Sequence, residues 1–311
     1  QPQREDHLRL RQQLLGVSRT GFAFVDGGFD RAAQHRDSPD TLDALWPAAR
    51  VLRLDVESRS LDDGDFDAWP FGAALASERP EDAAFIGFAD GVACFAWEQL
   101  AEGAPTTDLR RAGLQWPGRE AALFAAAAGL LNWQRRARFC GACGSAVERR
   151  NAGWSARCPA CGLEAYPRTD PAIIVAVSSG DRLLLGRQRS WPPGRWSVVA
   201  GFVEPGESLA QAVRREVFEE TRIVVGDVHY AGDQPWPFPM ALMLGFHAEA
   251  AADAPEPVVD DELEAARWFT REDVRAALAL GETPRGAEPS PLAFAPRLSI
   301  ARALIEAWAA R

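Results

Sequence analysis

No apolar run in this 311-residue chain approaches the roughly 18–20 residues that a membrane-spanning helix needs, so no membrane partner is expected. A secretory signal is also missing: the opening QPQREDHLRLRQQLLG is polar and charged. It has no initiator methionine, which suggests trimming or processing at that end. Positive charge is in deficit, with 34 basic against 44 acidic residues and a net charge of −10. That argues against a broad nucleic-acid-binding face. It leaves an anionic substrate open, because bound metal ions can supply positive charge. Internal repeats and low-complexity tracts are absent. Cysteine is scarce, and its five copies are unevenly placed: Cys140/Cys143 and Cys158/Cys161 form two pairs, while Cys94 stands alone. This usage fits a cytoplasmic compartment. The apolar surroundings of Cys94 (DGVACFAWE) suggest a buried structural thiol.

What is present is the composition of a soluble globular protein, 47% hydrophobic and 25% charged, long enough for two or three domains. Residues 1–135 contain the β-like runs GFAFV, ARVLRLDV and AAFIGFADGVACFAW between turn-rich acidic stretches. A helix is expected over REAALFAAAAGLLNWQRRARF, whose Ala- and Leu-rich run is interrupted only by Gly129. From 170 onward, DPAIIVAVSSGDRLLLGRQ reads as two strands about a Ser-Gly-Asp turn. A glutamate-rich helix follows, then β-like VHYAG and ALMLGFHAEA, then a final helix near 297–310.

The cysteines are spaced C-x2-C, fourteen residues, C-x2-C, with glycines in CGACG and CPACG. Two such knuckles can offer four thiolates tetrahedrally, which suits a structural Zn²⁺; two disulfides are the alternative. With all four positions cysteine, no coordination place is left open for catalysis. A module this small has little core, so metal binding would supply its folding free energy. Arg135, Arg136, Arg138, Arg149, Arg150 and Arg157 surround it against a single Glu148. They are either solvated surface arginines or a local patch for a phosphate-bearing chain.

The stretch GFVEPGESLAQAVRREVFEETRI, 201–223, holds five glutamates. At about 100° per residue, Glu216 and Glu220 fall on the same side as Leu209, Val213 and Val217. A solvated acidic face would lie opposite the apolar stripe. Carboxylates turned toward the interior are costly unless paired or metal-bound, and a cluster of three favours a hard divalent cation. Arg215 can pair with one of them or with Glu207. Further on, DQPWPFPMALM interleaves three prolines with Trp236 and Phe238. That makes either a proline-stiffened edge or a rigid aromatic shelf on which a nucleobase could stack.

The glutamate stretch resembles the Nudix box through Gly201, Glu207, Arg215, Glu216, Val217, Glu219, Glu220 and Ile223; Arg222 stands where the box has its second glycine. The resemblance implies an α/β/α sandwich with a mixed sheet. It also implies a loop and helix that hold Mg²⁺ or Mn²⁺ while water cleaves a diphosphate. Glu216 and Glu220 would be the principal ligands, Glu219 a ligand or base, with the Ala200 carbonyl and Glu262 completing the site. Hard carboxylate oxygens suit such ions, which neutralise phosphates and activate water.

Three further features resemble the NADH pyrophosphatase branch: the zinc ribbon placed before the catalytic domain, the segment QPWPFP, and YPRTDPAII. They imply substrate contacts from Tyr166, from Gln234, Pro235, Trp236, Pro237, Phe238, Pro239, Met240 and Ala241, and from Ala301 in LSIARALI. Asp233 and Ala241 replace the serines that bracket the signature. Losing the second would remove a hydrogen bond worth about 0.5–1.5 kcal/mol and weaken selectivity rather than turnover. The implied organisation is an α+β N-terminal domain (1–135), a zinc ribbon (136–168) and a Nudix domain (169–311). The implied activity is hydrolysis of NADH or NAD⁺ to AMP and nicotinamide mononucleotide, with NAD-capped RNA as a further substrate and a homodimer as the assembly. The alternatives are a Nudix hydrolase of another nucleotide such as ADP-ribose, and a zinc-ribbon protein that binds nucleotide or RNA without turnover.

Overall fold

The computed structural model describes residues 22–25, 27–101, 103, 106–259, 261–281 and 290–311; the opening polar segment lies outside them. Two compact units emerge, the first containing Ala23–Thr169 and Trp236–Met240, the second Asp170–Pro235 and Ala241–Arg311. Among the described residues no helix is long and apolar enough to cross a membrane.

In the first unit, β1 (Arg50–Leu54), β2 (Ala84–Ala89) and β3 (Val92–Glu98) form a sheet in the order β1–β3–β2. Residues 90 and 91 turn the β2–β3 hairpin, both at positive φ. Helix α1 (Pro39–Leu45) and the short α2 (Gly72–Leu75) flank a core of Trp46, Val51, Phe85 and Phe95. Trp46 meets Phe95 edge-on at 5.4 Å. GFAFV, read as a strand, is not one: its described residues 22–25 are bend and turn. Apolar content alone did not distinguish a packed loop from a strand, and Phe22 and Phe24 are buried all the same.

After α3 (Leu109–Gln115) comes α4 (Gly118–Arg136), which is buried from Ala121 to Trp133 on nearly every side. A helix apolar all round belongs in an interior, which is why its alanines form no stripe. Arg149 caps its C-terminus by donating to the carbonyls of Gln134 and Ala137. The ribbon strands β4 (Glu148–Arg150), β5 (Ser155–Arg157) and β6 (Glu164–Ala165) pair antiparallel in that order.

The second unit is a mixed six-stranded sheet. Its strands are β7 (Asp170–Ser179), β8 (Arg182–Arg187), β9 (Val199–Phe202), β10 (Val225–Trp236), β11 (Ala241–Ala250) and β12 (Ala265–Thr270). The order is β10–β11–β7–β8–β12, with β9 also on β7. β7 and β11 are parallel; β8 and β9 run antiparallel to β7. The helices are α5 (Leu209–Thr221), α6 (Arg271–Ala279) and α7 (Ile300–Ala310). Alternation along β7 sends Ile173, Val175 and Val177 into one core with Ala212, Val213 and Val217 of α5. Ile174 is paired with Gly245 and faces the other way. A Cβ on Gly245 would come 2.7 Å from Ile300 of α7, so α7 lies against that opposite face. The sheet is thus covered on both sides, the expected α/β/α sandwich.

Helix α5 begins at a capping box: Gln211 N donates to Ser208 Oγ, and Ser208 N donates to Gln211 Oε1 at 2.8 Å. It ends at Arg222, left-handed at φ 60° and ψ 13°, whose amide donates to the Phe218 carbonyl. Arg222 therefore adopts the conformation a glycine would take there. Its guanidinium sits 5.5 Å from the Phe218 ring centroid. Left-handed strain of about 1 kcal/mol exceeds the roughly 0.5 kcal/mol of an exposed cation–π contact. Arg222→Gly should therefore raise the unfolding midpoint slightly with turnover unchanged; a lowered midpoint would show that the ring contact wins.

Candidate functional site

Glycine geometry builds the two cysteine knuckles identically. In each, the first cysteine amide bonds forward (Cys140 N to Ser145 O at 2.8 Å, Cys158 N to Leu163 O at 2.9 Å) and its carbonyl accepts from Gly144 or Gly162. Those glycines have φ of 74° and 77°, which explains why glycine follows each pair. The four sulfurs lie within 4.8 Å of one another. The closest separations, Cys140–Cys161 and Cys143–Cys158, are both 3.5 Å, too long for disulfides. Hydrogen bonds from Ser145 bring the Cys143 thiol down to about 6. The Leu163 amide also lowers Cys161, but the neighbouring sulfurs outweigh it and raise that thiol to about 12. Four sulfurs this close cannot all be anionic without a cation among them, so the donor set fits Zn²⁺. Cys94 is buried, its thiol pushed up to about 12 by desolvation, as expected of a structural cysteine.

The carboxylates of the second unit are organised by Arg215. Its guanidinium donates to Glu207 at 2.6 and 2.8 Å, to Glu219 at 3.0 Å and to the Phe202 carbonyl at 2.9 Å, and pairs with Glu216 at 2.9 Å. Four groups from loop, strand and helix are thereby held on one cation. The pairing raises the Arg215 pKa, Glu207 contributing most. Glu207 falls to about 2, through Arg215 first and the Glu204 amide second.

Glu216 behaves differently. Burial pushes its carboxyl up; Arg215 opposes this, and the charges of Glu219 and Glu262 add to it. That mutual repulsion places Glu262, in the segment before β12, within electrostatic reach of Glu216. A dication beside carboxylates crowded in this way would relieve their mutual repulsion. Glu220 is buried at 4% exposure beside Val213 and Val217, whereas Leu209, placed on the same stripe from sequence, is 37% exposed in the first turn.

Gly201 has a steric reason to be glycine. A Cβ there would overlap the Glu216 carboxyl, so the carboxylate lies directly against the β9 backbone next to Ala200. Phe202 follows with its ring 61% exposed. Sequence reading did not single out this aromatic; its place immediately after Gly201 was the available signal.

The remaining sequence candidates divide. Gln234 is fully buried; its Nε2 donates to Leu298 O at 2.7 Å and its Oε1 accepts from Ile300 N at 2.8 Å. It fixes the start of α7, on which Ala301 is also buried. Pro235 ends the second unit's share of β10, and Ala241 opens β11 beside Asp170. Asp233 accepts from the Tyr230 hydroxyl. In the first unit, Tyr166 is 60% exposed and donates to Glu164 at 2.6 Å. Trp236 and Phe238 cross at 4.8 Å, and the Arg110 guanidinium covers both, 4.1 Å from Phe238 and 5.2 Å from Trp236. Asn132 donates to the Pro239 carbonyl at 3.0 Å, and Pro237 faces Gly129. The aromatic segment is thus partly occupied with packing. Met240 closes the segment.

Three of the six ribbon-side arginines have other partners. Arg149 caps α4, Arg135 pairs with Glu98 and Ser58, and Arg150 pairs with Glu148 at 2.6 Å. A patch built on all six is therefore not what the structure shows; Arg136, Arg138 and Arg157 remain exposed.

A crowded set of carboxylates on a loop and helix, laid on a sandwiched mixed sheet, defines a hydrolase that works with a divalent cation. The chain matches the NUDIX domain over residues 167–290 and the NADH pyrophosphatase zinc ribbon domain over residues 135–166. It is 40% identical over 292 residues to a Mycobacterium bovis protein named NAD-capped RNA hydrolase NudC, covering 91% of this chain and 93% of that one. A protein of the same name from Stutzerimonas stutzeri is 44% identical over 181 residues, 58% of each. Nudix hydrolase 19, chloroplastic, of Arabidopsis thaliana is 46% identical over 172 residues, 52% of this chain and 39% of that one. The chain belongs to the Nudix hydrolase family, in the branch that carries the NADH pyrophosphatase zinc ribbon.

Two outcomes are expected here. Gly201→Ala should displace the Glu216 carboxylate, a movable side-chain end, so turnover should fall sharply while the unfolding midpoint barely changes; intact turnover would refute the close approach. For Glu207 the folded pKa lies below its ordinary 4.5, so its contribution is complete above that value and is lost as pH falls toward about 2. The stability gap between wild type and Glu207→Gln should therefore be constant from pH 7 to about 5 and narrow below. A gap independent of pH in acid would contradict the depressed value.

Proposed function

We propose that this hydrolase cleaves the diphosphate of NADH or NAD⁺, releasing AMP and nicotinamide mononucleotide, and that it removes the NAD cap from RNA in the same way. The observation that carries the reading is the carboxylate group around Arg215, with Glu216 pressed against Gly201 and raised by burial first and by its acidic neighbours second. It combines with near-full-length similarity to proteins named NAD-capped RNA hydrolase.

In this reading Glu216, Glu219, Glu220, Glu262 and the Ala200 carbonyl hold Mg²⁺ or Mn²⁺. When bound, the cation neutralises the diphosphate and stabilises charge developing on it. The oxygen of a water molecule bonds to one phosphorus, the bridging P–O bond breaks, and the released phosphate oxygen takes the electron pair. A carboxylate must accept the water's proton. Glu219, half exposed and bonded to Arg215, is the carboxylate assigned to that proton, the alternative to its role as a ligand. Arg215 and Glu207 position the loop; Gly201 admits Glu216. Tyr166, the 234–241 segment and Ala301 are assigned to the nucleotide, with Gln234 acting through α7. Phe202 contributes through its main-chain carbonyl, which Arg215 holds at 2.9 Å.

The domain limits 1–135, 136–168 and 169–311, a homodimer and a cytoplasmic location complete the reading. Ala241 offers no side-chain hydrogen bond, which favours a broader nucleotide range, ADP-ribose included.

Product analysis with NADH, NAD⁺, ADP-ribose and NAD-capped RNA, each with and without Mg²⁺ or Mn²⁺, tests the proposal. AMP and nicotinamide mononucleotide should form from NADH only with added cation. Glu220→Gln should lower turnover about 100-fold or more while zinc content stays at one per chain. Undiminished diphosphatase activity in that variant would remove Glu220 from the ligand set.

A further inference from the structure

Among the described residues of the first unit, Arg31 and Arg36 stand without counter-charge. Arg31 and Arg36 bracket a 3-10 turn, Ala33–His35, and both reach the same indole, that of Trp154 in the ribbon. Arg36 lies flat over it, Cζ 3.8 Å from the ring centroid; Arg31 is 6.0 Å from that ring and 5.1 Å from Phe29. Arg36 also donates to the main-chain carbonyl of Arg31 at 3.3 Å, and the shared Trp154 ring brings the two guanidiniums together. Among the described residues neither forms an ion pair, although Asp30 and Asp37 adjoin them in sequence; Asp30 Oδ1 instead accepts from the Ala32 amide. The Nε of Arg36 is buried with no hydrogen-bond partner.

Arg31 is exposed and Arg36 half-buried, so the cost of the arrangement falls mainly on Arg36. Desolvation lowers the pKa of both arginines, and Arg31 lowers that of Arg36 further. In a chain of net charge −10, a cation pair without an acid is not part of a general surplus. Stacking on Trp154 compensates in part, at about 0.5–2 kcal/mol, but does not satisfy a buried N–H. The platform is rigid. Trp154 Nε1 donates to the Phe85 carbonyl at 2.7 Å, and Gln134 Nε2 donates to the Gly153 carbonyl at 2.9 Å. A fixed aromatic with two convergent guanidiniums is the chemistry that receives a phosphate with an adjoining base.

We propose that Arg31, Arg36 and Trp154 form a phosphate-binding site that takes a backbone phosphodiester of the RNA chain beyond the cap. This rests on the reading of NAD-capped RNA as a substrate. It gives the N-terminal residues and the ribbon a shared task, holding the body of the RNA.

The test uses the zinc-loaded full chain and an uncapped single-stranded RNA oligonucleotide, read by fluorescence anisotropy over a salt series. Arg31→Gln/Arg36→Gln should bind it about 5–10-fold more weakly, and the slope of log affinity against log salt should shrink by about 1.4, two contacts at roughly 0.7 each. Arg31→Gln alone leaves the Arg36–Trp154 stack in place and should show about half that change in slope. Turnover of free NADH should stay within about twofold, since two neutral substitutions here touch no site carboxylate. Wild-type affinity and slope in the double variant, at an unchanged unfolding midpoint, would overturn the proposal. So would inorganic phosphate stabilising wild type but not the variant while RNA binding stays equal, because that assigns the site to a small free anion. If wild type releases no nicotinamide mononucleotide from NADH or capped RNA, the substrate reading falls. The uncapped-RNA measurement still decides the arginine pair.

Discussion

One guanidinium holds the chemistry in place. Arg215 gathers Glu207 from the loop, Glu216 and Glu219 from its own helix, and the Phe202 carbonyl from β9. Without it, three acids would repel across a loop that has no regular structure to resist them. With it, they are preset before any cation arrives, so less reorganisation is needed at binding. The capping box at Ser208 and the tight fit of Glu216 against Gly201 both serve the same end, fixing where the helix starts and how near it lies to the strand.

The ribbon solves the same problem with softer ligands. Two knuckles of matching hydrogen bonds bring four sulfurs together, and a hard charge problem becomes a coordination site. In both places the protein assembles like charges at close range and relies on a cation to make that stable. The difference lies in how completely the protein does so beforehand. The carboxylates have an internal arginine; the thiolates have only amide and hydroxyl donors.

Much of this was legible in the sequence because it is local. C-x2-C pairs with glycines, glutamates on the apolar stripe of a helix, and alternating strand patterns are all short-range signals. The helix over α4, the β7–β8 hairpin and β11 are read from such signals almost to the residue. The misreadings are long-range. GFAFV is apolar because it packs, not because it pairs. Arg149 looked like surface charge until α4 supplied two carbonyls for it. Asn132 and Pro239 meet across 107 positions, and nothing near either one announces it. Arg31 and Arg36 drew no notice at all, since their meaning depends on Trp154, more than a hundred residues on.

Gln234 links two places that a sequence separates widely. One amide grips the carbonyl of Leu298 and the amide of Ile300, so the end of β10 and the first turn of α7 are mechanically one part. A force applied at Gln234 reaches the C-terminal helix directly through that one side chain. Trimming the last helix would therefore loosen a strand more than sixty residues upstream, and the C-terminus acts as a brace rather than as a tail.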